Sequence, residues 1–390
     1  MAGVTTMALS SLLVAAAAAV AQPAPPAPDW AGSTQFAVRG GVGSVVATGH
    51  GAPASDAPFH AQAQTALARI LARLGEAGLG PEDVARTRIY VADIGRGADI
   101  ARAHKAAFDA HRPTIVMAQV DGLPDGTLVA VHAELMPGPA QPRRLGRGGP
   151  LEERYGYALA YARDGHGGIT GLTGMGPGGA IPAGHGALEQ ARTALSKLQA
   201  LLSEQGLSHR DVVRTRLYVT AIDELEAYAT AHRDVFGEHP PATTVVQVAR
   251  LFTPDMKLEL DADFARLPTQ RLSGGSRWEP WFGFSRTVVA GPRVSVSGTT
   301  AEGDLPRQAE AVLDTIQAQL ARAGAGWRDV VHMNVIHRDD EDLAVFRAQL
   351  AQRTGGALPV LMPIRVARLA GGTMRLDVDA EAWVGAGSTP

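Results

Sequence analysis

One segment of this chain occurs three times. The run Gly78 to Val91 ends Val84-Ala85-Arg86-Thr87-Arg88-Ile89-Tyr90-Val91. It returns as Gly206 to Val219, ending Val212-Val213-Arg214-Thr215-Arg216-Leu217-Tyr218-Val219, and again from Gly324 through Val330-Val331-His332-Met333-Asn334-Val335. From Gly78 to Gly206 is 128 residues and from Gly206 to Gly324 is 118, and the same spacings separate Pro113, Pro241 and Pro359. Spacings that agree at two separated places indicate duplicated domains, so any fold for this chain has to be buildable three times.

Each copy carries the same order of patterns. A pair of short strands closes on Thr48-Gly49, Thr173-Gly174 or Ser297-Gly298. An amphipathic helix follows; in copy two Leu188, Leu195, Leu198 and Leu202 share one face of a 3.6-residue period and Gly206 caps it. An alternating strand opens at Val84, Val212 or Val330. A helix with carboxylates in its first turn starts near Asp223-Glu224, and two strands finish the unit, Thr243 to Ala249 and Lys257 to Phe264 in copy two. The unit is β-β-α-β-α-β-β, so the predicted class is α+β. Pro137 to Pro150 and Arg266 to Pro280, rich in Pro, Gly and Arg, read as linkers and set domains at 29–137, 150–267 and 277–385.

A sheet whose helices cover one face leaves the other bare. Three copies can bury those faces on each other about a pseudo-threefold axis. The expected architecture is therefore a single-chain pseudo-trimer with small-ligand clefts at its seams.

Composition narrows the function. Apolar residues make up 45% and charged residues 19%, enough for buried cores. A net charge of −3 with no basic stripe argues against a nucleic-acid partner. The lack of cysteine excludes disulfides, thiolate nucleophiles and cysteine metal sites. Met7 to Ala21 is an almost unbroken apolar run ending in a small-x-small triplet, followed by a Pro/Ala tether, Gln22 to Pro28. It reads as a signal peptide, although no Lys or Arg precedes it. The expected location is periplasmic or secreted, with no membrane attachment after signal removal, and cytoplasmic if the run is not a working signal.

Two stretches carry a resemblance. Gly283-Phe284-Ser285-Arg286-Thr287 with Val296-Ser297-Gly298-Thr299-Thr300, and Pro241-Ala242-Thr243-Thr244-Val245-Val246-Gln247 with Lys257-Leu258-Glu259-Leu260-Asp261-Ala262, resemble domains of the RidA/YjgF (reactive-intermediate deaminase) family. The similarity covers nearly everything after residue 30, in three copies, and is weakest in copy one. It implies a chorismate-mutase-like trimer architecture with clefts between subunits. For the active branch it implies cofactor-free hydrolysis of 2-imino and enamine acids to 2-oxo acids and ammonia, the 2-iminobutanoate/2-iminopropanoate deaminase reaction. It further implies an Arg two residues after the Pro of the fifth strand to hold the substrate carboxylate, a Glu on the last strand to orient water, and backbone groups from the small-Gly turn. Those turns are Thr173 and Gly174 in copy two and Ser297 and Gly298 in copy three.

At the Arg position this chain has Ile115, Thr243 and Leu361. A guanidinium offers carboxylate two charge-assisted hydrogen bonds, Thr one neutral bond, and Ile or Leu none. At roughly 1.5–3 kcal/mol per charged bond, carboxylate binding falls by orders of magnitude. The acid survives as Glu259 and Asp377 but is Ala130 in copy one, which marks that copy as structural. Asp261 and Asp379 lie two residues on, hence on the same strand face. Each pair is expected to line a cleft with pKa values pushed apart, leaving Glu259 protonated near neutrality as a general acid. The competing reading pairs these acids with Lys or Arg, or turns them to solvent.

Thr243, Thr244 and Gln247 offer polar contacts or simply suit a strand. Arg365, four residues past Leu361 on the same face, is the candidate replacement cation. Tyr157 and Phe284 fall where the family stacks its substrate, or else in the core. His50 follows the copy-one turn. Gly174-Met175-Gly176-Pro177-Gly178-Gly179 fits G-x-G-x-x-G, but Pro177 and Pro182 obstruct the helix start a dinucleotide site needs. His332 and His337 are five apart on a strand, face opposite ways, and cannot share a metal. Two functions compete: a cofactor-free deaminase or hydrolase of a small imine, enamine or carbonyl compound, and a non-catalytic small-molecule-binding protein. In both, the chain is a monomer that supplies its own trimer, with no metal or organic cofactor.

Overall fold

The computed structural model describes residues 34–52, 54–123, 127–146 and 149–385; the apolar run Met7 to Ala21 and the tether Gln22 to Pro28 lie outside them. Copy one comprises β1 (Gln35–Arg39), β2 (Val42–Thr48), α1 (Pro58–Glu76), β3 (Val84–Val91), α2 (Gly97–Phe108), β4 (Thr114–Gln119) and β5 (Val129–Leu135). Copy two comprises β6 (Arg143–Leu145), α3 (Pro150–Tyr155), β7 (Ala160–Arg163), β8 (His166–Thr173), α4 (Ala187–Ser203), β9 (Val212–Val219), α5 (Leu225–Phe236), β10 (Ala242–Gln247) and β11 (Leu258–Ala265). Copy three comprises β12 (Thr269–Leu272), α6 (Trp278–Phe282), β13 (Thr287–Ala290), β14 (Arg293–Thr299), α7 (Leu305–Arg322), β15 (Val330–His337), α8 (Asp340–Thr354), β16 (Val360–Arg365) and β17 (Leu376–Trp383).

The sheets run β1-β2-β5-β3-β4, β10-β9-β11-β8-β7-β6 and β12-β13-β14-β17-β15-β16. In each, the pair bridged by the second helix is parallel and the remaining pairs are antiparallel. The chain is three tandem α+β units of one topology. The segments read as linkers contribute more than connection: β6 and β12 each add an antiparallel edge strand to the copy that follows, on β7 and β13.

Strand alternation decides which face does what. In β11, Leu258, Leu260, Ala262 and Phe264 turn toward α4 and α5, while Glu259, Asp261 and Asp263 turn the other way. In β17, Leu376, Val378, Ala380 and Ala382 face the helices, and Asp377, Asp379 and Glu381 do not. The second face is buried too. Val46, Tyr90 and Val116 of copy one join Tyr218, Val246 and Met256 of copy two and Ile336, Met362 and Ile364 of copy three in one shared core.

Between the sheets lies a buried ion network. Arg86 and Arg88 of copy one meet Asp263 at 2.7 Å and Asp261 at 3.0 Å in copy two. Arg214 and Arg216 of copy two meet Asp379 of copy three at 2.6 and 2.9 Å, and Arg214 also meets Glu381 at 2.5 Å. At the third junction the pattern changes: His332 and Asn334 of copy three stand where the arginines would be, and His132 stands opposite, beside Glu134. The copies thus touch in cyclic order, one on two, two on three and three on one.

Candidate functional site

The seams are built on equivalent backbone contacts. The Ile115 N–H donates to Thr170 Oγ1 at 3.1 Å across the seam between copies one and two. The Thr243 N–H donates to Ser297 Oγ at 2.8 Å across the next, and the Leu361 N–H to Gln35 Oε1 at 3.0 Å across the third. These bonds set the register. They align Thr170-Gly171 with Ser297-Gly298, so the turn that sequence pattern placed at Thr173-Gly174 lies three residues later than its counterpart. Thr173 ends β8 opposite Glu259, and Gly174 packs on Gln190.

A cavity of about 480 Å³ opens at the seam between copies one and two. Ile115 and Met117 of β4 form one wall. Tyr155, Tyr157 and Leu159 form a second, and Leu172, Met175 and Leu201 a third, with Phe252 and Met256 beside them. Besides the two tyrosine hydroxyls, its polar side chains are Thr170, Thr173, Lys197 and Glu259. A mostly apolar pocket with a few convergent polar groups is the usual form of a small-molecule site.

Glu259 is 8% exposed and makes no ion pair among the described residues. Burial, reinforced by the Asp261 charge two residues away, pushes its carboxyl up to about 8, against a lowering by the hydrogen bond from the Met117 backbone N–H. That shift favours the protonated carboxylic acid toward neutral pH. Gly171 makes room for it: a Cβ there would sit 1.8 Å from Glu259 Oε1. Asp261 does not share the cavity, because its carboxylate is spent on Arg88 in the ion network.

The seam between copies two and three is built differently. Asp377 is held up to about 7 by burial and by Asp379, with Arg286 acting the other way. Gly298 clears its Oδ1, which a Cβ would approach to 2.7 Å. Arg286 replaces Leu159 of the first seam, donates to Gly298 O at 2.7 Å, and lies over the Phe284 ring at 5.2 Å. Thr243 has no free hydroxyl to offer, since its Oγ1 is 2.9 Å from Thr215 Oγ1, which in turn bonds His232. Thr244 bonds Asp379 in the ion network, and Gln247 accepts from the Ile222 N–H. Arg365 is exposed at the end of β16, stacked on Gly122 and 4.0 Å from Asp340.

So the structure brings Tyr157, Thr173 and Glu259 together on one cavity. Ser297, Gly298, Phe284 and Asp377 gather at the next seam, and Arg365 lies away from both. Lys197, Gly171 and the Met117 N–H were not anticipated. The chain carries only three lysines, against thirty-three arginines, and that scarcity is the signal that singles out Lys197.

Three α+β copies joined through a common core, with an acid-bearing cavity at one seam, define a tandem-domain protein. The sequence profile of the Endoribonuclease L-PSP family matches residues 34–134, 156–265 and 275–384, and the chain belongs to that family, the one that includes RidA and YjgF. An uncharacterized protein of Streptomyces coelicolor is 35% identical over 127 residues, 30% of this chain and 93% of its own length. The 2-iminobutanoate/2-iminopropanoate deaminase of Escherichia coli K12 is 33% identical over 87 residues, 22% of this chain and 66% of that enzyme. A chorismatase crystal structure aligns over 77% of this chain and 93% of its own, with a TM-score of 0.51 at 16% identity, which shows a shared fold.

Proposed function

We propose that the chain is a single-chain trimer whose seam between copies one and two hydrolyses a small, uncharged imine, enamine or carbonyl-derived compound, with Glu259 as general acid. The observation that carries this reading is the buried carboxyl of Glu259, without an ion-pair partner among the described residues, in a cavity whose family carboxylate anchor is replaced by Ile115. An acid still protonated at neutral pH can give its proton to a departing nitrogen or oxygen, a contribution of about 10²–10⁴-fold. An apolar wall in place of a guanidinium favours substrates without a carboxylate. The kinship to an iminobutanoate deaminase supports the reaction class, and the missing anchor argues for a different substrate within it. A small molecule suits the cavity volume and the net charge of −3 better than a nucleic acid does.

The test compares hydrolysis of benzaldehyde-derived imines with ammonia release from freshly generated 2-iminopropionate. The uncharged imines should turn over faster, and Glu259→Gln should slow them by about 100-fold. Buffer-level rates on both substrates, with ligand-induced thermal shifts that persist in Glu259→Gln, would establish the non-catalytic binding protein instead.

A further inference from the structure

We propose that Lys197 is a covalent site: its amine condenses with the carbonyl carbon of a small, uncharged aldehyde or ketone in this cavity to form an imine. The inference rests on the reading of the seam as a small-molecule site and adds a nucleophile to it.

Three observations carry it. The first is partnership. Lys105 is paired with Asp109 at 2.6 Å and Lys257 with Glu224 at 3.1 Å, as surface lysines normally are. Lys197 has no carboxylate partner among the described residues; its Nζ donates only to the main-chain oxygens of Thr173 at 2.9 Å and Met175 at 2.7 Å. Two neutral acceptors hold the nitrogen in place without neutralising an ammonium.

The second is location. Lys197 lines the same apolar cavity as Glu259, and Thr173, whose carbonyl it holds, is the register partner of Glu259 on the adjacent strand. Burial there lowers the ammonium pKa, which enriches the free amine that attacks carbonyls.

The third is singularity. The equivalent residue in copy one is Arg69, which makes the same bond to Thr48 O at 2.8 Å, and in copy three it is Thr315. Arginine satisfies the structural role of holding that carbonyl. In a chain that uses arginine for nearly every cation, the amine stands at this position in copy two, whose Lys197 and Glu259 line one cavity.

The chemistry balances with groups already present. The Lys197 lone pair forms the C–N bond as the carbonyl oxygen takes a proton from Glu259, giving a carbinolamine. The nitrogen returns a proton to the Glu259 carboxylate. The acid then protonates the hydroxyl, the C–O bond breaks and water leaves. The nitrogen finally releases its remaining proton to the carboxylate, so amine and carbonyl yield imine and water with Glu259 unchanged. An imine substrate would enter by the same attack and expel its own nitrogen as ammonia or an amine.

The experiment is reductive trapping. The full chain is incubated with benzaldehyde and sodium cyanoborohydride at neutral pH, and the three lysines are compared by peptide mapping. Expected is an adduct at Lys197 several-fold above Lys105 and Lys257, abolished in Lys197→Arg and slowed in Glu259→Gln with the other two lysines unaffected. Equal labelling of all three lysines, or none at Lys197, overturns the proposal, and neither reading depends on how the variants fold. If benzaldehyde still shifts the melting temperature and Glu259→Gln removes that shift, the cavity remains a ligand site and only the covalent step fails. Absence of both the adduct and the shift defeats the site along with it.

Discussion

Replacing Glu259 by Gln tests whether this buried carboxyl is held neutral. An unperturbed glutamate ionises near 4.5, and here ionisation is deferred to about 8. At 1.36 kcal/mol per pH unit, the native state disfavours the charged form by roughly 5 kcal/mol. The sign follows from which state binds the proton. Between pH 4.5 and 8 the folded chain keeps it and the unfolded chain has lost it, so wild-type stability declines as pH rises through that window. Gln has the shape of the neutral acid and no such decline. Wild type and Glu259→Gln should melt nearly together near pH 5, and the variant should gain steadily to about pH 8 and level off by pH 9. A cooperative unit of this size moves about 1–2 °C per kcal/mol, so the gap should approach about 5–10 °C. Water entering the cavity to solvate the carboxylate would shrink the gap but not reverse it. Differential scanning fluorimetry from pH 5 to 9 reads the difference, in which every other titrating group cancels. A difference constant with pH, or one that falls, would show that Glu259 is already ionised and remove the general acid from the mechanism.

Other perturbations separate site from scaffold. Gly171→Ala places a methyl 1.8 Å from Glu259 Oε1 and forces the carboxyl out; benzaldehyde binding should weaken about tenfold while overpacking costs only about 1–3 kcal/mol of stability. Gly298→Ala, which crowds Asp377 instead, should leave that binding intact. Arg88→Met leaves Asp261 without the arginine that holds it and should cost roughly 3–5 kcal/mol in urea unfolding, far more than loss of the exposed Arg73–Glu76 pair. His332 is kept neutral by burial down to about 4, against 6.5 when unfolded, so its contribution is intact above pH 6.5 and is lost as pH falls toward 4, by up to roughly 3 kcal/mol. His332→Gln should flatten that part of the acid slope, and an unchanged slope would refute the assignment.

The repeat and the order of elements were legible because hydrophobic periodicity is local. The starts of β3, β9 and β15 at Val84, Val212 and Val330 can be read directly from alternation. What was not legible is nonlocal. Asp261 looks like a second cleft acid until Arg88, over 170 residues away, is seen to claim it. Thr243 looks like a ligand contact until Thr215 takes its hydroxyl. The three turns are not in one register: Thr173-Gly174 matches Thr48-Gly49, while Ser297-Gly298 matches Thr170-Gly171, a distinction that the two Thr-Gly pairs within Thr170 to Gly174 conceal and the bond from the Ile115 N–H reveals. Glu259 was readable as a candidate from its place in β11, but its protonation depends on a cavity that no single copy contains.

The ion network explains why fused copies can diverge at some positions and not others. Five arginines, Arg86, Arg88, Arg214, Arg216 and Arg293, share the interior with five carboxylates, Glu134, Asp261, Asp263, Asp379 and Glu381. Removing one charge strands its partners, so a single substitution there is strongly destabilising. The third junction shows the permitted route, a change on both sides at once. Copy three carries His332 and Asn334 in place of two cations, and copy one carries His132 in place of an anion, with Ser44 Oγ 2.7 Å from His132 Nε2. Two cations and one anion are lost there, and Arg293, bonded to Asp263 and Glu381, restores five charges of each sign. In a homotrimer any such exchange would be imposed on all three junctions; in one chain it is confined to one. The same freedom lets the seams differ, with Lys197 and Glu259 at the first, Arg286 and Asp377 at the second, and Gln35 bonded to Leu361 at the third. Fusion thereby separates the scaffold's demand for symmetry from the site's demand for a particular set of groups. It follows that exchanging Lys197 and Glu259 for their copy-one counterparts, Arg and Ala, should abolish the site while leaving the ion network and the cyclic contacts intact.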